Sequence, residues 1–202
     1  MLDLRKVAVT GGVSCGKSQL CLFLKELGAY VVSTDKIVHQ LLSPETDLGK
    51  KVTHLLGPEI IENNKIDRKA VAKKVFGNHE LLKSLEMITH PEVFQEVEKQ
   101  YEQCRKEKDH PLFVVEIPLL FEVGSEGWFD TTITVSANEA DCIERFEAST
   151  GLSKNSYYQR MARQLPPNEK VALADIASTN DGSLEDLRYE AKKIFKQLTT
   201  NT

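Results

Sequence analysis

The sequence is poor in the features that would suit it to nucleic acid or to a membrane. Lys and Arg total 26 against 30 Asp and Glu, a formal charge of −4, and no block of basic residues stands anywhere along the 202 positions. A nucleic-acid footprint needs a concentrated basic face, so no such partner is expected. No apolar run approaches the roughly 18 residues that a membrane span requires. Residues 1–6 lack the apolar core of a signal peptide. Cysteine is sparse: Cys15, Cys21, Cys104 and Cys142 form no C-x-x-C, and no Cys/His group has zinc spacing. A disulfide framework is therefore not expected, and the thiols suit a reducing cytoplasm. Repeats and low-complexity tracts are absent. With 41% hydrophobic and 28% charged residues, the chain reads as one soluble domain carrying a sub-domain, with a monomer favoured.

What stands out is Gly11-Gly12-Val13-Ser14-Cys15-Gly16-Lys17-Ser18, which fits G-x-x-x-x-G-K-[ST], the phosphate-binding loop. An apolar run at 6–10 precedes it and a helical pattern at 18–27 follows, so the loop joins a strand end to a helix N-terminus. Amides there lack intrahelical partners and sit at the positive end of the helix dipole, which favours a polyphosphate. Gly11, Gly12 and Gly16 are expected to let the backbone curl and approach oxygens closely. Lys17 would reach the β- and γ-phosphates and Ser18 would ligate Mg²⁺.

Four further strands are expected at 30–33, 112–115, 131–135 and 176–179, alternating with helices. That alternation predicts an α/β fold, a doubly wound parallel five-stranded sheet. Residues 36–110 are mostly helical and read as an acceptor-binding sub-domain, or more plainly as packing helices. Helices are expected at 35–42 behind Thr34, at 47–56, and at 68–76 behind Asp67. Another should run from Asn78 to Thr89, with a break at His90-Pro91 and a new helix from Pro91 to about 108. Residues 1–35, 111–144 and 165–202 make up the nucleotide-binding core. Residues 145–164 form a helical lid, ended by Pro166-Pro167.

A phosphate loop does not name a reaction. A small-molecule kinase, a GTP-driven switch and a motor ATPase compete. Asn64-Lys65-Ile66-Asp67 spells the guanine-reading N-K-x-D, but it follows no strand, comes early, and has no D-x-x-G to accompany it. It reads as a polar turn ending in a helix cap. Kinase chemistry needs a positioned acceptor, charge neutralisation and exclusion of water. Asp35, just past a strand end, could take a proton from an acceptor hydroxyl; its plainer role is a helix cap. It is expected to look into the same crevice as the loop. Glu116 closes an apolar strand, as an acid that holds Mg²⁺ or its water must. Arg145, Arg160 and Arg163 flank the Gly151 break and suit a lid closing over phosphates, or a solvated face. Cys15 lies beside Lys17 at a helix N-terminus, where a thiolate is favoured.

The runs VAVTGGVSCGKS, VVSTDKIVHQLL, VFGNHELLKSLEMITHPEV, EIPLLFE, GLSKNSYYQRMARQ and NEKVALADIASTNDGSLEDL, in this order, resemble the dephospho-coenzyme A kinases. LEMITHP and PLLFE are much more specific than the loop. The resemblance spans nearly the whole chain. It implies a P-loop kinase-like core and ATP-dependent phosphorylation of the ribose 3′-hydroxyl of dephospho-CoA, with residues 36–110 binding that acceptor. The alternative is a nucleoside or nucleotide monophosphate kinase of the same fold. The resemblance gives Asp35 the place of the catalytic aspartate and Lys17 and Ser18 those of the phosphate and Mg²⁺ contacts. It sets Asn180 in a loop near the adenine of ATP. Three positions depart from the family pattern: Ser33 and Glu116 stand where Asp is usual, and Ser149 where a second lid Arg is usual. A weaker apparent affinity for ATP, or a lower turnover, is expected from the missing cation.

Overall fold

Stretches of alternating or continuous apolar residues become strands, and stretches with a 3.6-residue apolar period become helices, throughout the computed structural model, which describes residues 4–200. In chain order they are β1 (Arg5–Gly11), α1 (Lys17–Glu26), β2 (Tyr30–Ser33), α2 (Thr34–Leu41), α3 (Asp47–Leu56), β3 (Ile61–Glu62), β4 (Lys65–Ile66), α4 (Arg68–Val75) and α5 (His79–Glu107). There follow β5 (Leu112–Glu116), β6 (Thr131–Ser136), α6 (Glu139–Thr150), α7 (Lys154–Met161), α8 (Pro167–Leu173), β7 (Ile176–Thr179) and α9 (Leu184–Thr200).

Five of the strands make one parallel sheet in the order β2-β5-β1-β6-β7. β1 is its centre, in register with β5 (Val9 opposite Glu116) and with β6 (Gly11 opposite Val135). Val7, Ala8 and Val9 are fully buried, as a central parallel strand covered on both faces requires. The two valines each contribute about 1.5–3 kcal/mol by leaving water. Leu20 and Leu24 of α1 pack into the same core as Leu187, Ala191, Ile194 and Leu198 of α9, residues one helical face apart. Parallel strands bring their C-terminal ends to one edge, where ligands bind in open α/β sheets.

The chain divides into two compact units, Met1–Val32 with Tyr101–Thr202, and Ser33–Gln100. The second has its own core, in which Leu48, Val52 and Leu56 of α3 meet Val71 and Val75 of α4. The last turns of α5 belong to the first unit: Tyr101 Oη donates to the Leu4 carbonyl at 2.8 Å, and Lys6 Nζ lies 4.3 Å from the Tyr101 ring centre.

Four local expectations are corrected. The break at His90-Pro91 does not occur, and α5 runs through Pro91. Pro91 lacks the N–H that would bond the Met87 carbonyl. Met87 is 69% exposed, so water can serve that carbonyl. The guanine-like tetrapeptide lies in a small antiparallel hairpin, β3–β4, turned by Asn63 and Asn64 at φ 49° and 58°. Two successive left-handed residues make a tight hairpin turn, and asparagine tolerates that conformation. Asp67 then caps α4, accepting from the Lys69 N–H at 2.8 Å. α7 ends at Met161, short of Pro166-Pro167, and Pro167 opens α8 instead, since a helix's first position needs no N–H. Thr34 is helical rather than a cap; Ser33 holds that position without a side-chain bond.

Candidate active site

The loop's shape is enforced by its neighbours. Gly11 has φ 142°, and a Cβ there would stand 2.1 Å from the Val135 carbonyl oxygen. Gly16 has φ 105°, and its Cβ would meet Asn180 Nδ2 at 2.2 Å. Both positions therefore exclude any side chain. Gly12 differs: its Cβ would find only Met161, at an ordinary 3.8 Å. The protein's own packing therefore demands glycine at two of the three positions. Lys17 opens α1 and is 9% exposed. Its Nζ donates to the Gly12 carbonyl at 2.6 Å and the Gly11 carbonyl at 3.1 Å, so its charge is held against the loop's own acceptors. Gly16, the N-cap, offers α1 no side-chain cap bond, which leaves the first-turn amides to a ligand or to water.

Around the loop the structure gathers Ser18, Glu116, Asn180 and Arg145. Ser18 Oγ donates to Glu116 Oε1 at 2.5 Å, because the β1–β5 register sets Glu116 level with Val9 near the loop. Asn180 is buried just past β7. Its Nδ2 donates to the Cys15 carbonyl at 3.0 Å, and its N–H donates to the Ser136 carbonyl at 2.8 Å. Arg145 Nη2 donates to the Asn180 carbonyl at 3.2 Å, while Arg145 Nη1 is buried without a hydrogen-bond partner. Among the described residues no group of three or more His, Cys, Asp or Glu could hold a metal ion. A Mg²⁺ bound through one or two protein oxygens, phosphates and water needs no such group.

The other candidates stand in different local settings. Arg160 is exposed, with its guanidinium 5.0 Å from the Phe146 ring centre, on the helix pair α6–α7. Asp35 belongs to the Ser33–Gln100 unit, exposed in the first turn of α2. Cys15 is 2% exposed and packs in the core beneath the loop, its Sγ 3.9 Å from Lys17 Nζ. With Cys142 and Tyr157 it lines a cavity of about 90 Å³. Burial pushes the Cys142 thiol up to about 11 and the Tyr157 hydroxyl up further.

One pair is given no role by the sequence reading, although Glu122 closes EIPLLFE and Lys170 lies in NEKVALADIASTNDGSLEDL. Lys170 of α8 is 1% exposed, and its Nζ lies 2.7 Å from Glu122 Oε1. It also donates to the Pro118 carbonyl at 3.0 Å and to Gln164 Oε1 at 3.2 Å. Burial pushes its ammonium below its ordinary value, against the pull of Glu122. No apolar spacing announces this burial, since the adjacent Val171 is the exposed one, at 36%.

A central-strand phosphate loop with an acid on the neighbouring strand, within a parallel sheet of this order, defines the fold as that of the P-loop kinases. Residues 5–186 match the family model described as dephospho-CoA kinase. The dephospho-CoA kinase of Chlamydia abortus is 46% identical over 198 residues, 98% of each chain. A Thermus thermophilus protein of known crystal structure is similar with a TM-score of 0.84 and 32% identity, covering 98% of this chain and 100% of that one. The dephospho-CoA kinase from Campylobacter jejuni follows at TM-score 0.71 and 29% identity, covering 97% and 98%. The chain belongs to the dephospho-CoA kinase family. It is a kinase that transfers phosphate from ATP to a hydroxyl, and its family performs the last step of coenzyme A synthesis.

Proposed function

We propose that this chain phosphorylates the ribose 3′-hydroxyl of dephospho-CoA, with Asp35 as the base and the loop 11–18 as the cradle of the ATP phosphates. The observation that carries the reading is the linked set around one loop: Lys17 on the loop carbonyls, Ser18 on Glu116, Asn180 on Cys15, and Arg145 on Asn180. Lys17 exchanges its carbonyl partners for phosphate oxygens. Arg145 Nη1, buried and unpartnered, supplies a further donor for the charge that develops in transfer. Asn180 holds Gly16 and Cys15 so that their amides stay aimed at the ligand, and it lies beside the adenine. Arg160 adds a lid cation. Asp35 accepts the proton of the 3′-hydroxyl, and the acceptor binds along residues 36–110.

Ser18 and Glu116 supply the hard oxygens that Mg²⁺ prefers, and their 2.5 Å approach sets both at one spot beside Lys17. Mg²⁺, when bound, neutralises charge on the β- and γ-phosphate oxygens. Four free cysteines, all buried, fit a cytoplasmic enzyme.

The test is a panel in which the protein and Mg–ATP are mixed with dephospho-CoA, adenosine or CMP. Consumption of ATP with dephospho-CoA alone is expected. Equal consumption with CMP or adenosine would replace this reading by that of a nucleotide or nucleoside kinase.

A further inference from the structure

We infer that Lys170 and Glu122 form a buried latch that positions two parts of the phosphoryl-transfer machinery, the chain after Glu116 and the segment that ends the lid. This rests on the kinase reading of the loop but not on the role given to Asp35. Glu122 Oε1 accepts at once from Lys170 Nζ at 2.7 Å and from the Leu165 N–H at 2.8 Å. Lys170 Nζ donates to the carbonyl of Pro118, two residues past Glu116, and to Gln164, four past Arg160. The Pro118 carbonyl also accepts from Thr10 Oγ1 at 3.2 Å, on the residue before the loop. One ammonium thus ties the turn after β5 to the chain just past the Arg160 helix, and the shared Pro118 carbonyl joins that turn to β1.

The pair is not arranged for stability. Glu122 Oε2 is buried and has no hydrogen-bond partner, a costly omission. Replacing a buried ion pair by apolar residues is often neutral or stabilising. A pair kept in spite of that cost holds a geometry, and what it holds here are backbone groups next to the acid and the lid. Lys170 and Glu122 are therefore positioning residues, not catalytic ones.

The double variant Lys170→Met/Glu122→Leu separates the two roles. Its melting temperature should equal or exceed that of the native chain, while kcat/KM for ATP falls about tenfold and KM for dephospho-CoA changes less than twofold. Hydrogen exchange at the Leu165 N–H should quicken about tenfold. Native kinetics accompanying native stability would reduce the pair to packing and overturn the inference. Should the double variant not fold, Glu122→Gln, which keeps the Leu165 acceptor but removes the charge, decides the matter. A several-fold loss in kcat/KM for ATP is expected, and none overturns the inference. Native protein inactive on dephospho-CoA in the same assay would instead indict the reading of the substrate.

Discussion

A side chain cannot be added at Gly16 without displacing the Asn180 amide, and the left-handed backbone there adds strain of its own. Gly16→Ala should therefore destabilise the fold by about 1–3 kcal/mol and abolish ATP binding. Gly12→Ala, with only Met161 to meet, should melt within about 0.5 kcal/mol of the native chain. Thermal melts of the two variants check both. Asp35 is exposed at the start of α2, so the role proposed for it rests on chemistry rather than on a buried network. Asp35→Asn should lower kcat by roughly 10²–10⁴ with little change in ATP affinity, and steady-state kinetics with near-native kcat would remove it from the role. Ser149, near the end of α6, is exposed and spends its hydroxyl on the Phe146 carbonyl at 3.3 Å. An arginine can stand there without displacing a core group. Ser149→Arg is expected to raise kcat/KM for ATP, and an unchanged value would mean that Arg145 and Arg160 already suffice.

At the level of elements, β7 is an edge strand of four residues anchored by a carboxylate. The Asp175 carboxylate accepts from the Thr132 N–H at 2.7 Å and from its Oγ at 2.8 Å. Those bonds hold its carboxyl below the usual aspartate value. A lowered value means stability that is fully present above about pH 4 and is lost as the pH falls through the lowered value. Asp175 is surface-exposed, so about 1 kcal/mol is a fair ceiling for its worth. Asp175→Asn should melt roughly 2–4 °C lower at pH 7, and the gap should close in melts taken near pH 2. The same elements show what the sequence makes legible. All five sheet strands follow from short apolar runs, and Asn138, Asp67 and the Ser183–Asp186 box cap helices as their side-chain chemistry requires. Where the reading fails, a local rule yields to context. Pro91 is absorbed by a long helix, two asparagines supply the turn glycine would, and Pro167 begins a helix as well as following the end of one. At the site, the loop, Glu116, Asn180 and Arg145 stand out by motif or resemblance. Glu122 and Lys170 also fall in resembling runs, EIPLLFE and NEKVALADIASTNDGSLEDL, but their pairing is not legible, because burial of a charge leaves no periodic trace in sequence.

For the molecule as a whole, ligand binding and stability are linked. ATP bound only by the folded state at about 100 times its Kd adds about 2.7 kcal/mol, roughly 5–10 °C in melting temperature for a chain of this size. Lys17→Ala should keep the unliganded melting temperature within a few degrees, since the partners of Lys17 Nζ, two carbonyls and the Cys15 sulfur, all belong to its own loop. The same variant should lose most of the shift given by Mg–ATP. A full shift in Lys17→Ala would show that the loop's amides alone suffice. Among the described residues, no helix is long and apolar enough to cross a membrane.

The bond from Asn180 to the Cys15 carbonyl joins positions 165 apart in the chain. During synthesis the loop 11–18 therefore emerges long before Asn180, and this brace forms only after Asn180 has left the ribosome. A stalled nascent chain ending before β7 would carry the whole of loop 11–18 without the amide that holds the Cys15 carbonyl.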